Sequence, residues 1–180
     1  MSEKRIFCRF NRYWDKPNLA IKEIPEGGFC LSAFIILTKS SSASEVLLGK
    51  INPIEKWEYV GALDLERAKT FSKGWMIPSS HLIFGEDPND TAYRILKEQL
   101  NLEKIKLRGP IVVSFLYPSA RNSQFNHWDI EFIYQGNIDS ISKNELWSEL
   151  EFVNIDDLKK KDFVRGHEDI LEAIGYKIKE

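Results

Sequence analysis

The chain has 180 residues, of which 43% are hydrophobic and 29% charged, and its formal net charge is −2. This composition predicts a soluble globular domain and gives no reason to expect a nucleic-acid or membrane partner. The two cysteines, Cys8 and Cys30, lack metal-type spacing, and no apolar stretch resembles a signal peptide or spans a bilayer. We therefore expect a cytoplasmic protein with reduced thiols.

Residues 1–28 interleave aromatic and basic side chains between Arg5 and Trp14. We interpret residues 1–28 as an N-terminal arm or edge strand, and residues 29–180 as the main domain. The same alternation would suit stacking on bases and neutralising phosphates, so RNA is an alternative partner, although the net charge does not indicate it.

The next segments predict a hairpin and a short helix. Residues 29–38 are almost continuously apolar, as in a buried central strand, and residues 45–51 return after a serine-rich turn. Residues 57–61 have no clear pattern. Asp64 has the position of an N-cap for a helix that ends at Phe71.

Residues 74–102 contain the clearest local pattern. Residues 75–77 are apolar and predict a strand, and residues 79–81 are polar and predict a turn. Asp87 is a good N-cap for a following helix, and Pro88 occupies the first helical position, where a missing N–H costs nothing. The apolar stripe of this helix consists of Ala92, Leu96 and Leu100.

Strands return after this helix, and a closing helix is predicted at residues 167–176. Residues 105–117 predict a strand with a bulge or break at Gly109 and Pro110, and residues 151–155 predict a short one. Residues 127–134 alternate, which predicts a strand with one buried and one solvated face. The buried face would carry Trp128, Ile130, Phe132 and Tyr134, and the solvated face His127, Asp129, Glu131 and Ile133.

The stretch around the central helix resembles the signature of the Nudix hydrolases, G-x5-E-x7-R-E-U-x-E-E-x-G-U, in which U is a bulky aliphatic residue. The signature glycine falls on Ser80, and the matching positions are Glu86, Arg94, Leu96, Glu98 and Leu102. The departures are Ile95 and Gln99 in place of glutamates and Asn101 in place of glycine. The resemblance implies an α/β (α+β) protein, an α/β/α sandwich with a mixed β-sheet.

The resemblance also implies cleavage of a nucleoside diphosphate linked to another group, by water activated on Mg²⁺ or Mn²⁺. Hard dications require oxygen ligands, and the family supplies them as glutamates at i, i+3 and i+4 of one helical face. Those positions are Ile95, Glu98 and Gln99 here, so one anionic ligand remains. The family often adds a carboxylate from outside the signature, which indicates Glu131 or Glu149.

We therefore expect a weak metal set of Glu98, Gln99 and Glu131, with atypical or weak hydrolysis if the protein is active. Glu98 and His81 are the candidate catalytic residues, His81 as a base or phosphate partner. The candidate substrate-binding residues are Ser79, Ser80 and Arg94.

Two further expectations concern support and stacking. Glu86 and Arg94 are expected to form a bracing ion pair between the loop and the helix. Trp75, Trp128 and Trp147 are candidates for stacking a nucleobase, although tryptophans are more often core residues.

The expected partner is a small nucleotide ligand, with no membrane and with a homodimer left open. The alternative function is a non-catalytic nucleotide sensor, RNA-binding protein or interaction module of the same fold.

Overall fold

The computed structural model describes residues 9–10, 28–118 and 126–178. Within these ranges the chain forms seven strands of one sheet, four α-helices and a 3-10 helix. The strands are β1 (Arg9–Phe10), β2 (Phe29–Lys39), β3 (Ser42–Ile51), β4 (Ser79–His81), β5 (Arg108–Pro118), β6 (Asn126–Ile138) and β7 (Trp147–Asn154). The helices are α1 (Lys56–Val60), α2 (Leu65–Phe71), α3 (Pro88–Leu100), the 3-10 helix (Ile155–Lys160) and α4 (His167–Ala173).

The sheet is built around β2. Along its whole length, β2 runs parallel to β6, and its other edge pairs in antiparallel fashion with β1, β4 and β3 in turn. The main strand order is β5-β6-β2-β3-β7. The sheet is therefore mixed, as the sequence predicts.

Successive side chains of β2 point to opposite sides of the sheet, so each face carries apolar side chains that a helix covers. Ala33 and Ile35 pack into one core with the apolar stripe of α3, and Phe34 and Ile36 pack into a second core with α4 and the 3-10 helix. We call these sides the α3 face and the α4 face. The predicted α/β/α sandwich is thus confirmed. Among the described residues, no helix combines the length and the apolar character needed to cross a membrane.

The helix starts were predictable because they depend on local chemistry. The Asp64 carboxylate accepts the Arg67 N–H, and the Asp87 carboxylate accepts the Asn89 N–H, so both aspartates are N-caps as predicted. Pro88 is the first residue of α3, and the predicted stripe of that helix is buried.

Two strand predictions need correction. Residues 79–81 are a buried strand and not a turn, because their backbone pairs with β2 from Ser32 to Phe34. Residues 75–77 form no named strand, and Trp75 and Met76 make isolated bridges.

Strand β6 has the predicted alternation, but its exposure differs from the prediction. Glu131 is 5% exposed, because α4 and the 3-10 helix cover the face that was expected to be solvated. Trp128, on the face expected to be buried, is 38% exposed. The prediction for residues 1–28 lies almost entirely outside the described residues, and Arg9–Phe10 pairs with the start of β2.

Candidate functional site

Glu86 braces the loop that leads into α3. Its carboxylate accepts hydrogen bonds from Arg94 Nε at 2.7 Å and Nη2 at 2.9 Å, from the Ile83 N–H at 2.9 Å and from the Thr91 hydroxyl at 2.7 Å. Burial alone would raise the pKa of Glu86, but these hydrogen bonds outweigh burial and leave the pKa below its ordinary value. The expected ion pair is present, and it fixes the start of the helix.

Arg94 connects α3 to β4. Its Nη2 also donates to the carbonyl oxygen of His81 at 3.0 Å, and its Nη1 lies 3.5 Å from the Ser80 hydroxyl and 3.8 Å from the Glu98 carboxylate. Arg94 therefore gathers Ser80 and Glu98 around one guanidinium on the α3 face.

Ile95 and Gln99 are fully buried, although they occupy two of the three metal-ligand positions implied by the resemblance. The Gln99 amide Nε2 donates to the carbonyl oxygens of Val60, at 2.9 Å, and Ser79, at 2.8 Å. Because Val60 is the last residue of α1, this helix lies against the side of α3 that would face a metal. Gln99 Oε1 has no hydrogen-bond partner among the described residues.

The donors on α3 do not fit a hard dication. Mg²⁺ and Mn²⁺ favour carboxylate oxygens, and the side chain of Ile95 has no donor atom. The amide nitrogen of Gln99 donates to two backbone carbonyls, so a single neutral oxygen of this side chain remains as a possible metal ligand. Glu98 is the remaining carboxylate at these positions, and it lies beside Arg94.

The structure separates the residues that were expected to act together. Glu131 pairs in register with Ser32, whose hydroxyl lies 2.8 Å from His81 Nδ1, so Glu131 and His81 both lie on the α4 face. Glu98 belongs to α3, on the other side of the sheet. The expected metal set of Glu98, Gln99 and Glu131 is therefore divided by the sheet, because alternation directs odd residues of β6 away from α3. The expected catalytic pair of Glu98 and His81 is divided in the same way.

Of the three tryptophans considered for stacking, Trp128 has the most exposed surface. Trp147 is fully buried, and Trp75 is 6% exposed, with the ammonium groups of Lys50 and Lys161 at 4.8 and 4.1 Å from its ring. Trp128 is directly opposite Leu116, which is 59% exposed. Together with Val112, these residues form an apolar surface on the α3 face, which we call the β5–β6 surface.

Sequence reasoning missed a contact between β2 and β6 on the α4 face. The Sγ atom of Cys30 lies 2.5 Å from Asp129 Oδ1, and His127 Nε2 lies 3.2 Å from that sulfur and 3.1 Å from the same oxygen. Burial and the charge of Asp129 raise the pKa of the Cys30 thiol. The alternation of β6 indicated His127 and Asp129, but no local pattern connects them to a cysteine in another strand.

Comparison with known proteins gives no match to a protein-family model and no match to a curated protein. Solved structures do match. The NUDIX domain of Shewanella oneidensis NrtR, complexed with ADP ribose, has a TM-score of 0.56 and 15% identity, over 89% of this chain and 92% of that chain. The E. coli dihydroneopterin triphosphate pyrophosphohydrolase has a TM-score of 0.57 and 13% identity, over 79% of this chain and 92% of that chain.

A third structure comes from a larger protein. It is a bifunctional NMN adenylyltransferase/ADP ribose pyrophosphatase from Francisella tularensis, complexed with AMP and a manganese ion. Its TM-score is 0.51 at 13% identity, over 81% of this chain and 40% of that chain. At such identities the likeness establishes the fold and leaves the activity to be argued from the site.

Proposed function

We propose that this chain, which has the Nudix fold, binds a nucleoside diphosphate derivative on the α3 face of its sheet. We further propose that α3 does not support metal-dependent hydrolysis of the family type. The observation that carries this proposal is the buried amide of Gln99, which donates to the carbonyl oxygens of Val60 and Ser79. A side chain fixed in this way acts as a structural donor.

The binding part of the proposal is supported by the fold and by the β5–β6 surface. Structures of the same fold were solved with ADP ribose and with AMP. Exposed aromatic and aliphatic side chains on a sheet suit a nucleobase, which stacks on an aromatic ring irrespective of its identity. Trp128 is the aromatic residue of this surface, so we assign base stacking to it.

The phosphate contacts are proposed on the same side of the sheet. The Tyr134 hydroxyl donates to Asn89 at 3.0 Å, which shows that this face of β6 reaches the first turn of α3. We propose that a phosphate contacts Nη1 of Arg94, the terminal guanidinium nitrogen that is not bonded to Glu86, and that Ser80, which is 2% exposed, positions this nitrogen. The side chain of Ser79 points to the α4 face, so its contribution here is the carbonyl oxygen that Gln99 contacts.

The test is a binding panel in the presence of EDTA, which removes divalent ions. Thermal shift and calorimetry would compare ADP-ribose, a dinucleoside polyphosphate, a nucleoside triphosphate and ribose 5-phosphate. We expect saturable binding of at least one compound that has both a base and a diphosphate, with ribose 5-phosphate as the weak control. Absence of binding to every nucleotide in the panel would contradict the proposal.

A further inference from the structure

We propose that Cys30, His127 and Asp129 form a binding site for a divalent transition-metal ion of the zinc class on the α4 face. This site is separate from the proposed nucleotide surface, because the sheet lies between them. It does not depend on the nucleotide proposal.

Strand register brings the three ligand atoms together. Cys30 is directly opposite Asp129 in the parallel pair of β2 and β6, and His127 precedes Asp129 by two residues on the same face. The sulfur, the imidazole nitrogen and the carboxylate oxygen all lie within 4.8 Å of one another. Three donors on adjacent central strands therefore converge without any rearrangement of the backbone.

The spacing of these atoms is close to that of a tetrahedral zinc site. Zinc bond lengths of about 2.3 Å to sulfur and about 2.0–2.2 Å to nitrogen and oxygen place neighbouring ligand atoms roughly 3.3–3.6 Å apart. His127 Nε2 lies 3.2 Å from Cys30 Sγ and 3.1 Å from Asp129 Oδ1. The sulfur and the Asp129 oxygen, at 2.5 Å, would separate by about 1 Å, which side-chain rotation can supply.

The chemistry of the donors selects the kind of metal. A thiolate together with an imidazole favours Zn²⁺, Co²⁺, Ni²⁺ or Cu²⁺ and disfavours Mg²⁺, which prefers an all-oxygen shell. Binding would convert the Cys30 thiol to a thiolate and release its proton to solvent. Three protein ligands leave a fourth position for water or for another side chain.

Glu131 supplies an independent observation that indicates a cation here. It is two residues beyond Asp129 on the same strand face and 5% exposed, and its Oε2 has no hydrogen-bond partner among the described residues. A buried carboxylate oxygen without a partner is unfavourable, since it loses its hydration without replacement. Glu131 lies outside the three-atom group but on the same strand face, so we assign it a hydrogen bond to a metal-bound water.

Acidic side chains surround the site. Asp129, Glu131 and Asp169 lie close enough to interact electrostatically, and Arg165 is the guanidinium that opposes them. A bound divalent ion would compensate the charge of the Asp129 carboxylate. Because it would join β2 to β6, it should also raise the stability of the folded protein.

The experiment uses the full-length, untagged protein after dialysis against EDTA and removal of the chelator. Zn²⁺ and Co²⁺ are titrated separately by calorimetry, and Co²⁺ is also followed by the near-ultraviolet absorption of its thiolate bond. We expect about one ion per chain, a cobalt–thiolate band and a higher melting temperature with Zn²⁺, but none of these with Mg²⁺.

The variants distinguish this site from non-specific binding. Cys30→Ser should abolish the cobalt–thiolate band, and Cys8→Ser, which removes the other thiol, should leave it unchanged. Asp129→Asn should lower zinc affinity at least about 10-fold while circular dichroism shows a folded protein, and Glu131→Gln should lower it about 10- to 100-fold. A wild-type protein that binds neither ion, or a thiolate band that persists in Cys30→Ser, would overturn the proposal.

Discussion

Gln99 and Ser79 connect the central helix to the strand before it, since the Gln99 amide donates to the Ser79 carbonyl oxygen at 2.8 Å. The same amide donates to the last residue of α1, so one side chain joins two helices and a strand. In the family that the sequence resembles, this position carries a metal-binding glutamate. Here the Gln99 side chain makes structural hydrogen bonds instead, so its replacement by glutamate should cost stability.

Gln99→Glu should lower the free energy of unfolding by about 1–3 kcal/mol, because a carboxylate would face two carbonyl oxygens without donating to them. Urea unfolding followed by tryptophan fluorescence measures this change. Glu98→Gln is the matched control, the reverse substitution at the preceding residue, and should change stability by less than about 1 kcal/mol, because its pair with Arg94 is long, at 3.8 Å. Ile95→Glu would place a carboxylate at a fully buried position, so restoring the family's glutamates should unfold the chain and not activate it. Equal free energies of unfolding for Gln99→Glu and wild type would show that the hydrogen bonds of the Gln99 amide do not contribute to stability.

The ion pair between Glu86 and Arg94 should be a major contributor to stability. Glu86→Gln removes the close charged partner of a largely buried guanidinium and leaves it only the Glu98 carboxylate at 3.8 Å, which should cost about 3 kcal/mol. Glu66→Gln, which removes an exposed pair with Lys69, should cost less than about 0.5 kcal/mol. The pKa of Glu86 is lowered in the folded state, so its contribution is present above the unfolded pKa of about 4.3 and is lost at lower pH. Unfolding curves at pH 7 and pH 3 should therefore differ more in wild type than in Glu86→Gln.

His167 should make stability depend on pH in the mildly acidic range. Its Nδ1 accepts the Ile77 N–H at 2.9 Å, so the folded state needs the neutral imidazole. Burial and the charge of Arg165 hold the pKa of His167 well below its ordinary value. The unfolded chain takes up this proton near pH 6.5, so stability falls as pH drops below that value, by up to about 1.4 kcal/mol per pH unit.

His167→Asn keeps an acceptor near Ile77 but has no group that titrates in this range, so it tests that pH dependence. Unfolding free energies at pH 7.5 and pH 5.5 should differ less in this variant than in wild type. If the two proteins lost the same stability on acidification, protonation of His167 would not be responsible.

Trp128→Ala should weaken nucleotide binding by about 1–3 kcal/mol, or roughly 5- to 150-fold, if the base stacks on this ring. Leu116→Ala should weaken binding to a smaller extent. Ile111→Ala is the matched control, because Ile111 is 41% exposed on the same strand but lies opposite Ile133 on the α4 face. Calorimetry with the nucleotide of the panel that binds most tightly measures the affinity of each variant. Equal losses of affinity in Leu116→Ala and Ile111→Ala would argue against binding at the β5–β6 surface.

The sequence predicted the features of this fold that depend on neighbouring residues. The N-caps of Asp64 and Asp87 and the apolar stripe of α3 follow from local chemistry, and all three are present. Strand β4 was not predicted, because a short segment of three polar residues is typical of a turn. Its pairing with β2 makes it a strand.

In the candidate sites too, features that depend on neighbouring residues could be predicted, and features that depend on distant residues could not. The loss of carboxylates from α3 could be predicted, because the metal-ligand positions of the signature have fixed spacing within one helix. The approach of Cys30 to Asp129 could not, since it depends on the register of two parallel strands that are distant in sequence. The burial of Glu131 likewise depends on which sheet face α4 covers, and alternation alone cannot distinguish the two faces.

Whether α3 supports hydrolysis is tested by the release of AMP from ADP-ribose in saturating Mn²⁺, measured by anion-exchange chromatography beside the affinity in EDTA. We predict that AMP release stays at the level of a protein-free blank and that affinity is the same, within about twofold, with Mn²⁺ and with EDTA. Manganese-dependent release of AMP by wild type that disappears in Glu98→Gln would show instead that Glu98 holds a catalytic metal ion.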